Sequence, residues 1–126
     1  MKQCGCHFVV ASGNQYYQLR DLFSGYYDEL SFVAENGAFV KDQRQLVFTA
    51  DIPRETVDLV IDVCREYPEI SNVVCGLNSA YCERGSVDQD FFDLTNIYYH
   101  RLQWVDDFKE IKDQILKFAP TVPIEK

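Results

Sequence analysis

Two periodicities alternate along this chain, and the places where they change mark its predicted elements. Cys6–Ala11 (CHFVVA) is a β-branched and aromatic run, apolar on both faces, which predicts a buried strand of the parallel type. Ser12-Gly13-Asn14 breaks it. Gln15–Phe23 then carries Tyr16, Leu19, Leu22 and Phe23 at helical spacing, with Gly25 as a C-terminal cap. Leu30–Ala34 is a second strand, ended by Glu35-Asn36-Gly37. Strand, helix and strand at this spacing predict a βαβ unit with a right-handed crossover.

The pattern then changes character. Ala38–Lys41 and Gln45–Thr49 flank the polar turn Asp42-Gln43-Arg44 and predict a hairpin. Pro53 stands where a helix can start. Arg54–Tyr67 follows with Val57, Val60, Ile61 and Cys64 on one face, and Pro68 stops it. Strands are predicted over Asn72–Gly76, Ser79–Glu83 and Arg101–Val105, with a last one starting at Leu116–Ala119. Asp88–Tyr98 predicts a helix with Phe91, Phe92, Leu94, Thr95 and Tyr98 on or near one stripe, and Asp107–Ile115 a shorter one. The fold class is therefore α/β: a doubly wound piece over 1–44, and an α+β region with an antiparallel sheet over 45–126, the junction falling within Ala38–Ile52.

The opening strand raises a physical difficulty. A lone βα unit with one further strand leaves an apolar strand edge unpaired, which native proteins avoid. Met1–Cys4 before Gly5 also reads as the last turn of a helix, and one turn does not nucleate by itself. Both features lead to the expectation that sequence upstream of Met1, or another chain, completes the sheet.

Composition narrows the function classes. The chain has 126 residues and 47% hydrophobic residues, so it is core-forming. Its formal net charge of −8 argues against a general nucleic-acid binder, which needs clustered Lys and Arg, and against docking on an anionic membrane. No apolar run approaches the ~18–20 residues of a transmembrane helix. The 5 cysteines are irregularly placed, unlike a secreted disulfide framework, so the expected compartment is the reducing cytoplasm.

Two segments carry a resemblance. Phe8-Val9-Val10-Ala11-Ser12-Gly13-Asn14, followed by Phe32-Val33-Ala34-Glu35-Asn36-Gly37-Ala38, resembles the Cof-type branch of the haloacid dehalogenase (HAD) superfamily of phosphatases. Cys75-Gly76-Leu77-Asn78-Ser79-Ala80-Tyr81 and Tyr99-His100-Arg101-Leu102 resemble the cap segments of its sugar-phosphatase members. The resemblance implies a partial Rossmann-like core (1–44) joined to an α+β cap and return segment (45–126). It implies Mg²⁺-dependent hydrolysis of sugar phosphates or similar small phosphate monoesters, with an aspartate attacking phosphorus. By the same resemblance Ser12 bonds the transferring phosphoryl group and Gly13 helps cradle it. The family's nucleophile strand should precede Met1, and its lysine and final metal loop should follow Lys126. This chain then resembles an internal fragment, expected to bind no Mg²⁺ and to be inactive alone.

The residues carry their own readings. A strand-to-helix turn such as Ser12-Gly13-Asn14 gathers backbone N–H groups that favour an anion, and glycine permits close approach; the plain alternative is a helix-capping turn. Asn36-Gly37 suits either a hairpin turn or a ligand crevice at a strand's carboxyl end. Asn78, Ser79, Tyr81, His100 and Arg101 are candidate substrate contacts, with turn and strand-edge packing as the alternative. Asp88-Gln89-Asp90 imitates a nucleophile pair but opens a helix, where carboxylates ordinarily cap. Cys4-x-Cys6-His7 resembles half of a metal site without a second half. A non-catalytic module that assembles into a homo-oligomer through the edge of strand Cys6–Ala11 is the competing function class.

Overall fold

The computed structural model describes residues 8–43 and 45–121. The expectations placed on Met1–Cys4, Cys6 and His7 lie outside these residues. The chain forms two compact units, Met1–Ala50 and Asp51–Lys126.

The first unit is a four-stranded sheet in the order β1 (Val9–Ala11), β2 (Ser31–Ala34), β3 (Phe39–Asp42), β4 (Gln45–Thr49). Strands β1 and β2 are parallel, with Val9 opposite Ser31 and Ala11 opposite Val33. Helix α1 (Tyr16–Leu22) connects them, as a parallel pair requires. The other two pairings are antiparallel. Tyr16 and Leu19 bury the inner face of α1 against Phe32, Ala34 and Phe39. The Tyr16 ring stacks on Phe39 at 4.9 Å and meets Phe32 edge-on at 5.4 Å. Because β4 pairs with β3, Gln45–Thr49 belongs to this sheet, and the contact boundary falls at 50/51, beyond the 44/45 division drawn from the sequence. The expected burial of the first strand is not found: Val9 is 53% exposed, because β1 is an edge strand of this sheet.

The second unit begins with helix α2 (Arg54–Arg65), whose N-cap is Pro53. Val57 and Ile61 bury its inner stripe, while Leu59 and Val63 face outward. The sheet runs in the order β7 (Leu102–Val105), β6 (Ala80–Glu83), β5 (Ser71–Gly76), β8 (Ile115–Thr121). It is mixed rather than antiparallel, because β6 and β7 are parallel. Helix α3 (Gln89–Tyr98) is the physical reason: it carries the chain back to the starting end of β6, so β7 enters in the same direction. The side-chain alternation of β5 and β6 separates two cores. Val74 and Tyr81 join Val57, Ile61, Phe108, Ile111 and Ile115. Val73, Cys75, Ala80 and Cys82 join Phe91, Phe92, Leu102 and Trp104 from α3 and β7. Two helices therefore cover opposite faces, which suits the nearly continuous apolar run of β5.

Two further expectations are corrected. Asp107–Ile115 is not a helix; a 3₁₀ turn over Phe108–Glu110 gives way to extended backbone at Ile111. Phe108 and Ile111 are both buried, so their helix-like spacing comes from two anchors on one loop. In α3, Phe91, Phe92 and Thr95 turn inward, whereas Leu94 and Tyr98 join Ile97 on an exposed face.

Candidate functional site

The two turns singled out in the first unit meet at the carboxyl ends of parallel strands β1 and β2. Ser12 follows β1, and its N–H donates to the Val33 carbonyl at 2.9 Å, which continues the ladder. Its Oγ accepts from Asn14 N–H at 3.1 Å. The hydroxyl hydrogen of Ser12 has no partner among the described residues. The Asn14 carbonyl accepts from Glu35 N–H at 3.1 Å, tying this turn to the one after β2. That second turn is conformationally unusual: Glu35, Asn36 and Gly37 all have positive φ, at 53°, 58° and 95°. Non-glycine residues rarely adopt this region, and runs of them concentrate where a site must be shaped.

Gly13 shows how closely the turns approach. A Cβ there would stand 2.4 Å from Asn36 Oδ1. Glycine is favoured here by the Asn36 side chain rather than demanded by its own backbone angles. The Ser12 hydroxyl and the Asn36 amide thus stand beside one turn contact at the end of a parallel strand pair, where ligands bind in open α/β sheets. Helix α1 contributes little dipole, since it has 7 residues and no side-chain cap from Gln15. The donors of the turn itself carry any attraction for an anion. Asn36-Gly37 fits its turn reading, because it connects antiparallel β2 and β3.

In the second unit the candidates divide. Asn78 and Tyr81 converge on Asp113, which sequence reasoning missed. Asp113 Oδ2 accepts from Asn78 N–H at 2.8 Å and from the Tyr81 hydroxyl at 2.9 Å. Asp113 Oδ1 accepts from Asn78 Nδ2 at 3.0 Å and from Gln114 N–H at 2.8 Å. Each carboxylate oxygen thus holds two donors, and the β5–β6 turn is fixed from the loop before β8. Gly76 makes room for this, since a Cβ would lie 2.3 Å from Asp113 Oδ2. Ser79 is buried, with its hydroxyl donating to the Ala80 carbonyl. Arg101 is exposed; its carbonyl accepts from Ala80 N–H at 2.9 Å, and its guanidinium lies 3.5 Å from the Asn78 carbonyl. His100 is exposed on the neighbouring position.

A second network was also not anticipated. Arg65 Nη2 donates to Glu83 Oε2 at 2.9 Å and to Asp107 Oδ1 at 2.8 Å. Those hydrogen bonds raise the Arg65 pKa above its usual value. Asp107 is held below its usual value, first by the Lys109 backbone N–H and then by Arg65. The partners are 18 and 42 residues away in sequence, with no local pattern to announce them.

Asp88 is the N-cap of α3, accepting from Phe91 N–H at 2.8 Å. Asp88-Gln89-Asp90 is thereby explained as capping. Among the described residues, no three His, Cys, Asp or Glu side chains group where they could hold a metal ion, so these residues do not fit a Mg²⁺ site. Among the described residues, no helix is long and apolar enough to cross a membrane.

A βαβ unit whose strand ends carry a hydroxyl turn, followed by an α+β unit, places the chain in the mixed α/β class. The chain belongs to the haloacid dehalogenase-like hydrolases, whose family profile matches residues 1–125. Over 119 residues it is 40% identical to the 5-amino-6-(5-phospho-D-ribitylamino)uracil phosphatase YbjI of Escherichia coli (strain K12), covering 94% of this chain and 44% of that protein. Among solved structures, SMU.1108c from Streptococcus mutans UA159 matches with a TM-score of 0.85 at 28% identity, covering 94% of this chain and 45% of that one. The HAD subclass IIB sugar phosphatase BT4131 shares the fold with a TM-score of 0.67 at 12% identity, covering 94% of this chain and 46% of that one. The chain therefore spans less than half the length of each of these relatives.

Proposed function

We propose that this chain supplies the phosphate-positioning turn and the cap of a HAD phosphatase that hydrolyses sugar phosphates or similar small phosphate monoesters. The observation that carries this reading is the junction at the ends of β1 and β2. There the Ser12 hydroxyl, whose hydrogen has no partner among the described residues, stands on the turn whose Gly13 packs closely against the Asn36 side chain. Ser12 donates to a phosphoryl oxygen while Asn14 N–H holds its oxygen in place. Gly13 lets backbone approach the phosphate, and Asn14, Asn36 and Gly37 line the rim. In the cap, Asn78 and Tyr81 act through a turn made rigid by Asp113, and Ser79, His100 and Arg101 flank it. Such a cap closes over substrate and excludes water from the phosphoryl centre. In the intact family enzyme, Mg²⁺ would supply charge neutralisation at the phosphoryl group. As part of this reading, the chain alone does not turn over substrate.

The test is an amide NMR titration of the full chain with ribose 5-phosphate, beside a turnover assay with Mg²⁺. Saturable shifts at Ser12, Gly13, Asn14, Asn36 and Gly37, weakened in Ser12→Ala, support the reading. Their absence at millimolar ligand rejects the phosphate site. Mg²⁺-dependent turnover by the pure chain rejects the inactivity.

One observation favours a second reading, assembly through the β1 edge. Phe8 and Val9 are 42% and 53% exposed beside an edge strand, an arrangement that invites pairing. A strict monomer by light scattering at high concentration rules this out.

A further inference from the structure

A cleft of about 180 Å³ lies within the second unit between α2, β5, β6 and the 3₁₀ turn at Phe108. It shares no residue with the turns at Ser12 and Asn36 or with the Asp113 cluster. Ile61, Ile70 and Phe108 give it apolar walls, and Asn72 and Glu83 give it acceptors. Asn72 is only 5% exposed, yet its Oδ1 has no hydrogen-bond partner. A buried acceptor left in that state costs roughly 1–3 kcal/mol, and native proteins keep few of them. Glu83 presents a second acceptor, this one open to water: Oε2 takes both Arg65 and the Phe108 N–H, while Oε1 has no protein partner among the described residues.

The charge balance selects among ligands. Arg65 is shared between Glu83 and Asp107, so this three-residue cluster carries one net negative charge. The side chain of Glu83 is only 14% exposed, which weakens solvent screening of that charge. Size selects further, since an apolar cavity of about 150 Å³ accommodates benzene.

We propose that this cleft is a binding site for a small primary amine with an apolar body of about benzene size. Its ammonium group has three donors. Two of them go to Asn72 Oδ1 and Glu83 Oε1, and the body packs on Ile61, Ile70 and Phe108. Asn72 Oδ1 is sealed from bulk water, so binding the ammonium requires its terminal amide to turn about a soft torsion toward the cleft. A bound amine bridges α2 to the sheet and so stabilises the unit by mass action.

Benzylamine is the probe. Titrated into the full chain with labelled isoleucine methyls, it is expected to shift Ile61 and Ile70 saturably while the Ser12–Asn14 amides stay still. Toluene, which lacks the donor, should bind at least about fivefold more weakly, the loss of one hydrogen bond of about 1 kcal/mol. Asn72→Leu should weaken benzylamine by a similar factor and leave toluene unchanged or tighter. Equal affinity for benzylamine and toluene overturns the proposal, as does the absence of saturable shifts at Ile61 and Ile70. Should Asn72→Leu fail to fold, the wild-type comparison of the two probes decides alone. Failure here leaves the phosphate site untouched, because that site is read from different residues with a different ligand.

Discussion

Replacing Gly76 by alanine isolates the Asp113 cluster. Gly76 does not have a positive φ, so alanine meets no backbone strain there, and only space is at issue. The new Cβ would lie 2.3 Å from Asp113 Oδ2, 2.8 Å from its Cγ and 3.1 Å from the Ser79 carbonyl oxygen. Reaching ordinary contact requires the carboxylate to retreat by roughly 1 Å, which stretches the bonds from Asn78 N–H and Tyr81 hydroxyl beyond useful reach. Two charge-assisted bonds, partly open to water, are worth about 1 kcal/mol each here. Overpacking against the Ser79 carbonyl adds about 1 kcal/mol, and the lower entropy of an unfolded alanine returns roughly half of that. The expected destabilisation is about 2–3 kcal/mol. Urea unfolding followed through the fluorescence of Trp104 reads it, since the chain has 1 Trp and it stacks on Phe92 within the same unit. The midpoint should fall with little change in slope. In an Asp113→Ala background the same glycine substitution should cost less than about 1 kcal/mol, because the carboxylate is gone. Equal costs in both backgrounds would refute the account.

Three further outcomes are expected. Asp88→Ala removes the N-cap of α3 and should lower stability by about 1 kcal/mol in the same urea assay, while ribose 5-phosphate shifts at Ser12 remain. Burial pushes the Cys82 thiol up to about 11, so it should stay protonated and resist iodoacetamide at pH 8, whereas half-buried Cys64 reacts; peptide mass spectrometry separates them. Asp107 titrates below its ordinary value of 3.8 in the fold, so the stability it adds is present above that pH and is lost as pH falls through the lower folded value. Asp107→Asn should therefore flatten the acid limb of the unfolding midpoint below pH 3.8, and an unchanged limb would discard that assignment.

Local chemistry made most elements legible. Pro53 and Pro68 bracket α2 because neither can sit inside a helix, and the buried pair Val57 and Ile61 keeps the helical period. The βαβ unit was readable because a short apolar run, a glycine turn and a helical stripe follow one another. What failed was topology and partner choice. The parallel pairing of β6 with β7 depends on which way the chain returns after α3, and no local pattern specifies that. Phe108 and Ile111 imitate a helix because a loop fastened by two apolar anchors three residues apart has the same spacing. On α3, Leu94 and Tyr98 fit the predicted stripe, yet the sheet receives Phe91, Phe92 and Thr95, a rotation that only the packing partner sets.

The two candidate sites differ in legibility for a related reason. Ser12, Gly13 and Asn14 are adjacent in sequence, so their turn is written in one place. Asn36 enters that site from the next strand, and parallel pairing of β1 with β2 places the two turns at the same end. The Asp113 cluster has no such economy. Asp113 lies 35 residues from Asn78 and 32 from Tyr81, inside a segment whose anchors disguised it as a helix. Gly76 was quoted as part of a family motif, while its physical reason, room for a carboxylate, resides in that distant residue. A glycine that is demanded by a neighbour rather than by φ marks a close approach whose other half is invisible in sequence. Gly13 and Gly76 are both of this kind, and each stands beside a group of the proposed site. Substituting either therefore tests a tertiary contact rather than a local conformation, which is why the glycine and its partner must be varied together.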